Sequence, residues 1–360
     1  MKITNRLMSL SLAAAALMAV SSCKNGDISF PDYDTYTVYF GNQTPVRTIV
    51  LGEDYEADLT NDNNHVCQIG AVFGGSYSGK KITVDVEVDN SLCDNIYLDE
   101  AFTVPVKPLP ADYYELTSTT MNFGGSFNGY IDVKLTDKFF ADENTAAVLD
   151  ETGTMVFPNG IYVIPVKMVS QTGADAILTG TYDTDAYKSG APARTKGSAW
   201  SVLPKDYILY AVNYVCQYSG FWLRSGTDVV NGKANTSRQV ENKYTIDDEV
   251  VYLATKGLTK VSYTAQIKDA DGNPVASPVV VVDCANGTVS APAGAAYTIT
   301  GGKATYTEDG AGKYWGDKNR DLINVEFTYT EGANTCKVTD KLVSQRRGVR
   351  FNEFSYNYKE

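Results

Sequence analysis

Apolar and polar residues alternate along much of this chain. Lys81-Ile82-Thr83-Val84-Asp85-Val86-Glu87-Val88 is a clean alternation with a polar outer face, and residues 36–40, 131–135 and 161–166 repeat the period. A period of two sets one face of each segment on a core and predicts antiparallel strands. Helical spacing is confined to residues 145–150, and turn formers recur at the intervals of a β-sandwich. Between residues 181 and 199 the period lapses, and Asp183, Asp185, Lys188, Gly190, Pro192, Arg194 and Lys196 crowd together as a linker would. Trp200 then opens a second strand-rich region. Within it Tyr207-Ile208-Leu209-Tyr210-Ala211-Val212-Asn213-Tyr214-Val215 is long enough for a central strand, and further strand candidates follow without crossover helices. The pattern predicts an all-β chain: a β-sandwich over residues 36–180, a linker over 181–199, and an antiparallel β-barrel or second sandwich over 200–360.

One apolar run breaks that texture. Residues 7–20 follow Lys2 and Arg6 and lead into Val20-Ser21-Ser22-Cys23. The run falls short of the roughly 20 residues a membrane-spanning helix needs. Its small-residue junction is that of a cleaved leader. It resembles a bacterial lipoprotein signal, which implies removal of residues 1–22 and lipidation of Cys23. Residues 23–35, polar and acidic, then read as a tether, and contact with the membrane is expected through the lipid alone.

Charge narrows the partners. The chain has 31 basic and 43 acidic residues, a formal charge of −12, and loss of the leader removes two basic residues and no acidic one. Such a field opposes nucleic acid and anionic lipid surfaces. Beyond Cys23 stand Cys67, Cys93, Cys216, Cys284 and Cys336, an odd number with no C-x-x-C spacing, and His65 is the sole histidine. A zinc site is therefore starved of ligands, and a catalytic thiol lacks a choice of base. Cys67 and Cys93 fall in one predicted domain, where a disulfide and two buried thiols are both open readings.

Other motifs read as turns. Phe73-Gly74-Gly75-Ser76 and Phe123-Gly124-Gly125-Ser126 echo one another, but both run into strands rather than the helix a phosphate cradle needs. Asp269-Ala270-Asp271-Gly272-Asn273 starts like a calcium loop, yet Val280 stands where such a loop ends on glutamate. A Gly-x-Ser-x-Gly nucleophile motif is absent, and Asp247, Asp248 and Glu249 are chain neighbours rather than carboxylates set across a cleft. No enzymatic activity, metal or cofactor is expected.

Several stretches resemble a group of Bacteroidetes surface lipoproteins. Leu109-Pro110-Ala111-Asp112-Tyr113-Tyr114, Phe123-Gly124-Gly125-Ser126 and Tyr162-Val163-Ile164-Pro165-Val166 are similar to their N-terminal Ig-like domain, which also precedes some chitinase-fold endoglycosidases as a non-catalytic module. Pro204-Lys205-Asp206-Tyr207, Tyr218-Ser219-Gly220-Phe221-Trp222-Leu223-Arg224, Trp315-Gly316-Asp317-Lys318 and Val338-Thr339-Asp340-Lys341-Leu342 resemble the β-barrel domain paired with it, of calycin or lipocalin-like type. The resemblance implies an outer-membrane lipoprotein facing the cell exterior, which captures an oligosaccharide or polysaccharide beside an import-channel complex.

Sugar sites set aromatic faces beside planar polar groups. Among 25 tyrosines and three tryptophans, Trp315 is the leading candidate, with Tyr314 extending the platform and Asp317 and Asn319 bonding hydroxyls. Its other reading is a plug in the barrel end with Arg320 stacked over it. Trp222 is a further glycan-binding candidate, although Phe221 and Leu223 beside it favour packing. Two alternatives to glycan capture remain: a fimbrial or adhesive subunit, and a lipocalin-like carrier of a small apolar ligand.

Overall fold

The computed structural model describes residues 31–149, 154–235, 245–313 and 318–360. Strands dominate it, and its α-helices, Thr60–Asn63 and Asp137–Ala141, are single turns. Twelve strands form one continuous curled sheet. Its middle runs Val66–Gly74, Asn128–Leu135, Thr120–Asn122, Thr83–Val88, Ile161–Thr172, Tyr207–Val215 and Pro45–Val50. Curling brings Ile69, Ala71, Val84, Val86, Ile131, Val133, Ile164 and Val166 into one core. Alternation explains the choice of face: Ile69 is buried while Gln68 beside it points out and donates to Asp132 Oδ1 at 2.8 Å.

The glycine echo sits at two turns of this sheet. Gly75 has φ +106°, and a Cβ there would lie 2.1 Å from the Thr35 carbonyl oxygen, so only glycine fits. The preceding aromatics, Phe73 and Phe123, are buried beneath the turns and meet edge-on at 5.9 Å.

Eight strands close into an antiparallel barrel: Gly220–Val230, Glu249–Thr255, Lys260–Thr264, Val279–Asp283, Thr288–Ser290, Thr298–Thr307, Leu322–Glu331 and Asn334–Arg346. Gly220–Val230 pairs with Asn334–Arg346 to complete the ring. The barrel branch of the predicted fold is the one formed. Its inner face carries Trp222, Val251, Leu253, Val280, Val325, Phe327, Val338 and Leu342. Polar groups also meet there: Tyr263 donates from its hydroxyl to Asp340 Oδ2 at 2.7 Å, reaching past two intervening strands.

Two sequence expectations change, and one open reading closes. Tyr207–Val215 was placed in the second domain, but it pairs with residues 163–167 on one side and 46–50 on the other, inside the first sheet. Every residue of this strand is buried, because both faces are covered, so its apolar run carries no alternation that would reveal its sheet. The described part of the stretch, residues 145–149, is not a helix: a 3₁₀ turn at Glu143–Thr145 precedes a short strand, Val148–Leu149. Cys67 and Cys93 are separate free thiols, both buried.

The two domains are clasped at their junction. Arg347 donates to the carbonyls of Cys216 at 2.6 Å, Gln217 at 2.9 Å and Glu53 at 3.3 Å. Lys318 donates to the Tyr55 carbonyl at 2.6 Å, and the Arg320 guanidinium lies 4.0 Å above the Tyr55 ring.

Candidate functional site

After its last barrel strand the chain returns to the first sheet. Asn352–Glu353 pairs with Pro45 and Val46, and the Phe354 amide donates to the Thr44 carbonyl at 3.1 Å. Phe354 then enters a small core with Val46, Ile96, Val163, Leu209 and Ala211. Asn357–Tyr358 pairs with Ile96–Tyr97. Tyr356 and Tyr358, both half-buried, pack against the same small core as Phe354.

This return builds a cleft of about 510 Å³ against the start of Tyr207–Val215. Tyr207, Tyr356 and Tyr358 line it, together with Gln43, Arg194 and Asn357. The hydroxyls of Tyr207 and Tyr356 lie 2.9 Å apart. Burial pushes both phenols above the usual tyrosine range, so each stays protonated and serves as donor or acceptor. Arg194 Nε donates to both carboxylate oxygens of buried Asp206, at 2.9 and 2.8 Å, which holds the guanidinium at the wall. Lys196 donates to Glu360 at 2.6 Å and lies 5.8 Å from the Tyr358 ring centre; that bond raises the lysine pKa.

A volume of this size is in the range of small-molecule sites. Tyrosine rings offer apolar faces to C–H groups, while the carboxamides of Gln43 and Asn357 and the guanidinium of Arg194 offer planar hydrogen bonding. The two ion pairs engage the cationic groups structurally. Such a wall can contact C–H faces and hydroxyl groups together.

The sequence-predicted residues fall elsewhere. Cys23, Tyr314, Trp315 and Asp317 lie outside the described residues. Asn319 is exposed, between Lys318 and Arg320, which dock on Tyr55. Trp222 is corrected from binding candidate to core residue: it is 2 % exposed, faces the barrel interior and donates from Nε1 to the Tyr218 carbonyl at 3.1 Å. Asp269 accepts the Asp271 and Asn273 amides at 3.0 and 2.9 Å, which makes its loop a tight turn. The alternating Tyr356-Asn357-Tyr358 near the terminus was the one local sign of the cleft.

The fold and cleft define a two-domain, all-β chain with a small-molecule-sized recess on its first domain. A family model for an N-terminal domain matches residues 33–175, and one for a domain of unknown function, DUF5627, matches residues 217–348. The crystal structure of a Bacteroides ovatus protein of unknown function is 32% identical, with a TM-score of 0.76 over 91% of this chain and 100% of that one. The chain belongs to the same family as that protein. A multidomain Bacteroides ovatus protein that includes DUF1735 is 12% identical, with a TM-score of 0.38 over 85% of this chain and 93% of that one. An auxiliary nutrient binding protein from Bacteroides thetaiotaomicron is 16% identical, with a TM-score of 0.32 over 83% and 90%. No protein of curated function matches.

Proposed function

We propose that this chain is a non-catalytic, lipid-anchored protein of the outer cell surface that captures an oligosaccharide or polysaccharide for import, and that the tyrosine cleft holds the sugar. The observation that carries this is the meeting of Tyr207, Tyr356 and Tyr358 with Gln43, Arg194 and Asn357 in one recess. Aromatic C–H contact combined with planar hydrogen bonding is the chemistry a glycan needs. The lipoprotein-type leader and the strongly acidic composition support a surface role with a neutral ligand.

The test is retention of the purified protein on a broad panel of plant, microbial and host-type glycans. Binding to one class, weakened in Tyr358→Ala, supports both the function and the site. No retention on any member overturns the function. Retention unchanged in Tyr356→Ala and Tyr358→Ala alike moves the site elsewhere, with Trp315→Ala as the next variant.

A further inference from the structure

We propose that a second, smaller recess, built around Asn213, is a ligand subsite for a hydrogen-bond donor carried on a sugar, either a hydroxymethyl or an amino group. Asn213 lies on the same face of Tyr207–Val215 as Tyr207, six residues along, roughly 20 Å away at strand rise. The tyrosine cleft and this recess are therefore separate places. That the donor sits on a sugar rests on the proposed function, whereas the subsite itself rests on Asn213 and stands whether or not the tyrosine cleft binds glycan.

Asn213 is 8 % exposed, and its side-chain amide donates to the Met155 sulfur at 3.1 Å. A thioether only accepts, so this contact fixes the amide with its NH₂ toward Met155 and its Oδ1 turned away. That Oδ1 is buried and has no hydrogen-bond partner among the described residues. Buried acceptors in folded proteins are nearly always satisfied, and an unsatisfied one selects for a donor.

The surroundings say which donor. Asn213 lines a recess of about 50 Å³ with Glu143, Asn144, Phe157 and Tyr162. This admits a few atoms, not a whole sugar ring. Glu143 and Asn144 are exposed at the entrance, while Phe157 and Tyr162 are half-buried. A carboxylate and a carboxamide oxygen both ask for donors, and two aromatic rings suit C–H groups beside them. A hydroxymethyl arm or a sugar amine meets each demand.

The experiment uses the full chain labelled with ¹⁵N-asparagine, with the Asn213 side-chain resonance identified by its loss in Asn213→Leu. Glucose, glucosamine and ethylammonium are the probes. A saturable shift with glucose supports the hydroxyl form, and one with glucosamine and ethylammonium but not glucose supports the amine form. In either case Tyr162→Ala is expected to weaken the response at least tenfold, and Tyr358→Ala to leave it unchanged. No shift with any probe at tens of millimolar means that the recess holds water only, and overturns the proposal. A response lost in Tyr358→Ala would also overturn it, by placing the binding in the other cleft.

Discussion

Arg224 and Asp340 meet inside the barrel, Nε to Oδ2 at 3.0 Å, with neither side chain exposed. Gly220–Val230 turns its even-numbered residues inward, so Arg224 lies on the face that Trp222 occupies. The guanidinium also donates to Glu249 at 2.8 Å and to the Gln266 carbonyl at 3.0 Å. Burial alone would lower its pKa, but Asp340, Tyr263 and Glu249 outweigh burial and hold the cation above its usual value. Removing Asp340 takes away the fully buried partner of the guanidinium and leaves it Glu249, whose side chain is 33 % exposed. Asp340→Ala is expected to cost about 3–5 kcal/mol in urea unfolding, whereas an apolar replacement of Arg224, Asp340 and Glu249 together should cost much less. Equal losses in the single and triple variants would contradict this account.

The buried thiols make alkaline pH destabilising. Burial pushes Cys67 up to about 11 and Cys93 and Cys284 up to about 12, from an ordinary thiol value of about 9. Above pH 9 the unfolded chain releases these protons while the folded chain retains them, so stability falls as pH rises toward 12 and is fully present below 9. Thermal unfolding should therefore show a midpoint that declines steadily over that window. A thiol reagent at pH 8 should react with these cysteines only in denaturant, and fast labelling of the native chain would refute their burial.

How much of this could be read beforehand depended on whether the signal was local. Residues 81–88 alternate cleanly and form the strand Thr83–Val88, because one face meets the core and the other meets water. Tyr207–Val215 hid its sheet because its pairing partners, residues 46–50 and 163–167, are far away in sequence, and because burial on both faces removes any alternation. The tyrosine cleft was illegible for the same reason. Gln43, Arg194, Tyr207 and Tyr358 join only because the chain comes home after the barrel and pairs Asn357–Tyr358 with Ile96–Tyr97. Trp222 was ambiguous until the strand's inward face was known.

Within the cleft, Tyr358 is the most informative substitution. Its ring is half-buried and lines the recess, whereas Tyr207 is almost wholly enclosed. Loss of one sugar-facing ring should weaken binding by on the order of 1 kcal/mol, or roughly fivefold to tenfold. Tyr207→Phe should weaken it less, since it removes one hydroxyl and leaves Tyr356 in place. Isothermal titration with the glycan recovered from the panel measures both, and unfolding midpoints within a few degrees of wild type show that the fold persists. Trp222→Phe provides the contrast: it should lower stability, because the ring is buried, and leave affinity alone.

The proposed lipidation of Cys23 would decide where any binding takes place. Attachment through several acyl chains, at about 0.8 kcal/mol per buried methylene, is effectively permanent, whereas a single chain holds only marginally. The wild-type chain is therefore expected in the membrane fraction after washing with high salt and alkaline carbonate, with the modified cysteine visible by mass spectrometry of its N-terminal peptide. Cys23→Ser should lose both the modification and the membrane fractionation. Protease added to intact cells then separates the two faces: digestion of wild type places the domains outside, and protection places them in the periplasm. If Cys23→Ser remains in the washed membranes as wild type does, the lipid leash is wrong and the run at residues 7–20 must act in another way.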